Sequence, residues 1–101
     1  DDRPTGIVAG NDEIALGVLA AAGRLGIAVP RELSVTGFDD TPQTEWTTPR
    51  LTSVRQPLAG MGRMAVETVL AMADGVQPAS RHLQLATTLS VRDSTGPAPA
   101  S

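Results

Sequence analysis

The 101-residue sequence contains no cysteine, no tyrosine and no lysine, and only one histidine, one phenylalanine and one tryptophan. Without cysteine there are no disulfides, no thiolate nucleophile and no cysteine-based zinc site, and the redox compartment is left open. A single histidine, His82, excludes a histidine-cluster metal site and most triad chemistry. The missing lysine removes the GxxxxGK[ST] loop with which many domains cradle phosphates. A net charge of −3 gives no electrostatic footprint for nucleic acid, so the chain does not grip phosphates by itself. No apolar run approaches the roughly 18 residues of a membrane span. Nor does a basic-then-apolar leader open the chain; DDRPTG reads as the interior of a longer protein.

What is present suits one small domain. Apolar residues make up 41% and charged residues 19%, a balance that can bury a core rather than stay disordered. With aromatics so few, that core must rest on Ala, Val, Leu, Ile and Met. GIVA at 6–9 is short and wholly apolar, as a buried strand of a parallel sheet would be. Asn11 or Asp12 then caps a helix whose stripe is Ile14, Val18, Ala22 and Leu25, closed by Gly26. LSVTGF alternates around β-branched residues and reads as a second strand, reached by a connection long enough for a parallel crossover. TPQTEWTTPR at 41–50 reads as loop with a helical turn, and LTSVRQ at 51–56 as a third strand. A second helix follows Pro57 to about Ala73, with Leu58, Met61, Ala65, Val69 and Met72 on one face and Gly75 after it. HLQLATTLSVR at 82–92 supplies a last strand or pair of strands, and 94–101 reads as a frayed polar tail. The expected architecture is α/β with a small, mostly parallel sheet.

In open α/β sheets, ligands bind beyond the carboxyl ends of the strands. The first strand delivers Asn11, Asp12 and Glu13 there, the second delivers Asp39 and Asp40, and Gln56 follows the third. Three chemistries compete for these groups. Asp39 and Asp40 could offer hard oxygen ligands to a divalent cation for phosphoryl transfer, although no phosphate-handling lysine accompanies them. An aspartate and the Asn11 amide could instead hydrogen-bond the hydroxyls of a neutral polyol. Or Asn11 is a helix cap and the aspartates a turn, with no ligand at all. Trp46 reads as core cover or interface rather than a stacking platform, and His82 as a solvated loop residue.

An ordered series of motifs resembles the lactose/galactose repressor (LacI/GalR) family. It comprises Asn-Asp-Glu opening a helix, Gly-Ile-x-Val-Pro before a strand, Ser-Val-x-Gly-Phe-Asp-Asp, Pro-x-Leu-Thr-Ser-Val-Arg-Gln-Pro, then Met-Gly at 61–62 and a closing Val-Arg-Asp-Ser-Thr. The resemblance covers about residues 4–97 and implies a three-layer, periplasmic-binding-protein-like α/β effector domain, of which this is mainly the C-terminal subdomain. It implies an effector-binding and dimerising part of a transcriptional repressor, coupling a small sugar-like effector to operator affinity. Asn11 and Asp39 match effector-contacting positions, Gln56 a position near the ligand, and Asp40 becomes the turn-forming member. On the same resemblance 1–56 and 81–94 form the C-subdomain, 57–80 packs on an N-subdomain not contained here, and 98–101 is flexible. The expected setting is cytoplasmic, with no enzyme activity, metal, cofactor or membrane contact, and operator DNA met only through a helix-turn-helix head that is not in these residues. Missing half its pocket, the chain alone is expected to bind effector little and to assemble as a dimer or larger, because the Met-rich face of the second helix lacks its partner. An extracytoplasmic sugar-binding protein of a transporter is the alternative on the same fold; a metal-dependent phosphotransfer domain is the enzyme alternative.

Overall fold

The computed structural model describes residues 2–80 and 82–100, and the short apolar run becomes a three-residue strand, β1 (Gly6–Val8). Asn11 then holds an extended conformation and accepts the Ile14 N–H on its side chain at 2.9 Å, which starts α1 (Asp12–Leu25). A side-chain acceptor there satisfies one of the donors that a helix start leaves unpaired. Gly26, at φ +70°, ends the helix in the left-handed conformation that glycine adopts without a Cβ clash. Three more strands follow: β2 (Ser34–Phe38), β3 (Thr52–Arg55) and β4 (Thr88–Ser90). A 3₁₀ turn at Pro42–Glu45 lies between β2 and β3, and α2 (Leu58–Ala73) lies between β3 and β4.

The sheet runs β1-β2-β3-β4. β1, β2 and β3 are parallel, with Ile7 opposite Val35 and Thr36 opposite Thr52, and β4 closes the sheet antiparallel to β3. It is therefore an open mixed sheet, mostly parallel, as the alternation of strand and helix predicts. Only Thr88–Ser90 of the 82–92 segment is strand. One face of β2 carries Leu33, Val35 and Gly37 inward; with Ala9, Ala15 and Leu51 these build the core, flanked by Ile7, Val18, Leu19, Ile27 and Val29. The core holds no aromatic side chain. Trp46, expected to cover it or an interface, is 75% exposed, so it does not cover the core.

Two compact units emerge, residues 1–55 with 88–101, and residues 56–87. The first holds the whole sheet and α1. The chain leaves it after Arg55 and re-enters at Thr88, and these two residues are paired opposite each other on β3 and β4. Arg81, the expected point of return, lies outside the described residues. In the second unit α2 buries none of its residues, and Leu58, Val66, Val69, Leu70 and Met72 all stay more than half exposed.

The segment from 94 onward is not frayed at its start, contrary to the reading of its composition. Ser94 is fully buried; its hydroxyl accepts the Thr52 N–H at 2.8 Å and donates to the Val35 carbonyl at 2.6 Å. Gly96 and Ser34 exchange a further pair of hydrogen bonds, and Asp93 pairs with Arg50 at 2.8 Å. Ser94 is held by hydrogen bonds to strand backbone and Gly96 by the Ser34 side chain, contacts that a count of apolar residues does not register.

Candidate functional site

Parallel pairing of β1, β2 and β3 places their carboxyl ends on one edge of the first unit. Asn11 follows β1 there, and Asp39 and Asp40 follow β2. Gln56 follows β3 directly in sequence but is the first residue of the second unit. The structure thus brings two of the three expected contact residues to one edge of one unit.

The two aspartates of the pair have separate fates. Asp40 is nearly buried: its carboxylate meets the Arg92 guanidinium at 2.7 Å, accepts from the Ser90 hydroxyl at 2.9 Å, and takes a long hydrogen bond from Thr44 at 3.4 Å. Burial alone would raise its pKa, but the Arg92 hydrogen bond and charge, with the two hydroxyls, outweigh it and hold the carboxyl below the usual carboxylate range. Asp39 is exposed, and its N–H donates to the Val54 carbonyl at 2.9 Å, continuing the ladder one residue past β2. Both residues take positive φ, 114° and 56°, an uncommon region in which aspartate is among the better tolerated side chains.

The sequence offers Asn11 or Asp12 as the helix cap and brings Asp12 to this edge; the cap is Asn11, and Asp12 has a larger role. It is 2% exposed and accepts three hydrogen bonds: from Ser53 Oγ at 2.6 Å, from Thr41 N–H at 2.7 Å and from Thr41 Oγ1 at 2.9 Å. Gly37 makes room for it. A Cβ at position 37 would overlap Asp12 Oδ1 and would lie 3.2 Å from Asp12 Cα. Ser53, fully buried, also accepts the Asp40 N–H at 3.0 Å. The available signal for Ser53 was a serine on the inward face of a strand, opposite a glycine.

Chemically the edge offers an exposed carboxylate and an amide. The side-chain oxygen of Asn11 is engaged by the helix cap, which leaves its NH₂ as the group suited to an incoming acceptor. Among the described residues no group of three or more His, Asp or Glu is placed to hold a metal ion, and Asp40 is already committed to Arg92. Among the same residues no helix is long and apolar enough to cross a membrane. The second unit contains a groove of about 720 Å³ lined mostly by apolar side chains, among them Met61, Met64, Val69, Met72, Leu83 and Leu85, with Gln56, Thr68, Ser80, Gln84 and Thr87 as its polar members.

Comparison with known proteins places the chain in a well-populated group. Residues 1–95 match the periplasmic binding protein-like domain family. The HTH-type transcriptional regulator MalR of Streptomyces coelicolor is 42% identical over 95 residues, which is 94% of this chain and 28% of MalR. The dimeric Lac repressor with an 11-residue C-terminal deletion superposes with a TM-score of 0.85 at 32% identity, over 96% of this chain and 35% of the repressor. A LacI family transcriptional regulator from Arthrobacter, solved in complex with lactose, gives 0.80 at 36% identity, over 91% and 35%. The chain therefore spans about a third or less of the length of these relatives.

Proposed function

The chain belongs to the LacI/GalR family of transcriptional regulators, within its periplasmic-binding-protein-like domain, and from that premise we propose that it is the effector-binding and dimerising part of a DNA-binding repressor. Asn11 and Asp39, with Gln56 as a third contact, take hydroxyl groups of a small sugar-like effector. Binding shifts the balance between two arrangements of the effector domain and so changes operator affinity, with no catalytic step. Operator DNA is met by a separate head, consistent with the acidic balance of these residues. The working form is a homodimer in the cytoplasm, where its operator lies. In this reading 57–80 packs on an N-terminal subdomain supplied by the rest of the protein.

The observation that carries the proposal is the division of labour at the sheet edge. Asp12 and Asp40 are turned inward, onto Ser53 and Arg92, and Asp39 is exposed at the carboxyl end of β2, in the place where this fold class binds ligands. The Arthrobacter relative's complex with lactose makes a disaccharide the first probe. In the intact protein, titration with lactose and then with a panel of neutral mono- and disaccharides, followed by calorimetry, identifies the effector. Asp39→Ala should then weaken its binding about 10- to 100-fold, the loss of one or two hydrogen bonds to a charged acceptor, while operator binding in gel-shift assays stays within about twofold. An unchanged effector response in that variant removes Asp39 from the site.

A further inference from the structure

We propose that the Ser53 hydroxyl is a positioning group that sets the separation of Asn11 and Asp39 by clasping the residue next to each. The proposal rests on the effector reading above and deepens it. Ser53 Oγ donates to Asp12 Oδ1 at 2.6 Å and accepts the Asp40 N–H at 3.0 Å. Asp12 adjoins Asn11, and Asp40 adjoins Asp39. One oxygen on β3 therefore ties the start of α1 to the loop after β2. Thr41 adds a second tie from that loop, through its N–H and its hydroxyl to Asp12 Oδ2.

Apart from the Thr41 tie, the other contacts at this edge do not perform the same task. The Asp39 N–H bond to Val54 fixes the end of β2 on β3, and the Asp40 carboxylate fixes the loop on β4 through Ser90. Neither reaches α1. Apolar packing of Ala15 against Val35 and Leu51 holds the helix on the sheet, but such contacts are non-directional and tolerate small slips. Hydrogen bonds restrict both distance and angle. A serine hydroxyl is the smallest side-chain group that donates and accepts at once, and Ser53 is fully buried. The Asp39 backbone at φ 114° is a conformation that persists where its surroundings over-determine it.

Two variants of the intact protein, Ser53→Ala and Ser53→Cys, test the clasp without any ligand. Cysteine keeps a side chain of similar size but is a weak donor and acceptor, so it separates hydrogen bonding from packing. In both variants hydrogen exchange at the Asp40 amide should speed up about tenfold relative to the Asp39 amide, whose bond to Val54 remains. The side-chain amide resonances of Asn11 should move in both. A Ser53→Cys protein with wild-type exchange and spectra would reduce Ser53 to a packing residue and overturn the proposal. Asn11 resonances that stay put while the Asp40 amide is released would overturn it as well, since the clasp would not reach the contact residue. Should Ser53→Ala fail to fold, the cysteine variant alone decides. Failure of Asp39→Ala to affect sugar binding would sink the effector reading and leave the clasp standing, because these spectra contain no ligand.

Discussion

Replacing Gly37 by alanine probes the tightest approach in the sheet. The added Cβ would overlap Asp12 Oδ1, sit 3.0 Å from Leu51 Cδ2 and 3.2 Å from Asp12 Cα. Two relaxations are open. Asp12 can swing aside, giving up the Ser53 hydroxyl and both Thr41 donors in a region where Asp12 is 2% and Ser53 0% exposed. Hydrogen bonds to a charged group are worth about 1.5–3 kcal/mol each, so even with partial rehydration this route costs about 3–5 kcal/mol. Alternatively the start of α1 can lift off the sheet, which loosens Ala15 against Val35 and Leu51 at the overpacking cost of about 1–3 kcal/mol and stretches the same three hydrogen bonds. The cheaper mixture of the two sets the expected loss at about 2–4 kcal/mol. At roughly 4–8 °C per kcal/mol for a domain of this size, the melting temperature should fall by at least about 8 °C.

Urea unfolding followed by far-ultraviolet circular dichroism measures this directly, and Gly17→Ala supplies the matched control. Gly17 lies in α1 with no atom within 4 Å of a Cβ built on it, so alanine there should be neutral or stabilise by up to about 1 kcal/mol through helix propensity. The two substitutions are chemically identical and should differ in sign. A Gly37→Ala protein within about 1 kcal/mol of wild type would mean that Asp12 does not crowd β2, and the account of Asp12 as the hub of this edge would fall with it.

The remaining predictions concern charge, the cap and the exposed ring. Because Asp40 is held below its ordinary value of 3.8, the Arg92 pair contributes stability that is present above that pH and lost as pH falls through the lower folded value. In acid titrations below about pH 3.8, Asp40→Asn should therefore show a shallower loss of stability than wild type, and parallel curves would refute the pair's role. Asn11→Ala should cost about 1 kcal/mol in thermal unfolding through loss of the Ile14 cap. Asn11→Ser keeps a capping oxygen and should stay within about 0.5 kcal/mol while still weakening effector binding, so equal losses of binding and stability would assign Asn11 to the cap alone. Trp46→Ala should change unfolding free energy by less than about 0.5 kcal/mol, since the ring is 75% exposed; a loss above 2 kcal/mol would show that it covers the core after all.

Local signals made much of the fold readable from sequence. The apolar run before Asn11, the helical stripe, Gly26 and the alternation of LSVTGF all act within a few residues of themselves, and β1, α1 and β2 lie where those signals put them. The α2 stripe likewise marked Leu58–Ala73, because periodicity does not depend on finding a partner. What escaped notice depends on distant pairs. Asp12 meets residues 29 and 41 positions away, and Ser94 meets one 59 away, and no period or cap motif encodes such a meeting. Ser94 reads as tail for the same reason: polarity marks a loop only until a strand's backbone claims it, as the Thr52 N–H and the Val35 carbonyl do here. The different roles of Asp39 and Asp40 are implied only by the family resemblance; the edge itself is readable once β1 and β2 are parallel. The partner that makes the two aspartates unequal, Arg92, is not.

Adjacent like charges at the end of β2 would be an electrostatic liability if both were spent on the same task. Here Asp39 is exposed, and the two inward carboxylates of this edge, Asp40 and Asp12, have different donors. Arg92, with only 13% of its side chain exposed, neutralises Asp40, while Asp12 is held by two hydroxyls and a backbone N–H at the positive end of α1. Replacing this buried polar set by apolar side chains of equal volume could well leave stability unharmed, since desolvation offsets much of what such groups gain. What it would remove is direction. Two hydrogen bonds through one serine oxygen define where the helix start and the loop lie relative to each other, and apolar contacts do not. A ligand edge needs that definition more than it needs extra stability, because an exposed carboxylate binds adjacent hydroxyls bidentately only when its position is already fixed. On the proposed effector reading, the polar interior of the first unit supports Asp39, exposed at the carboxyl end of β2.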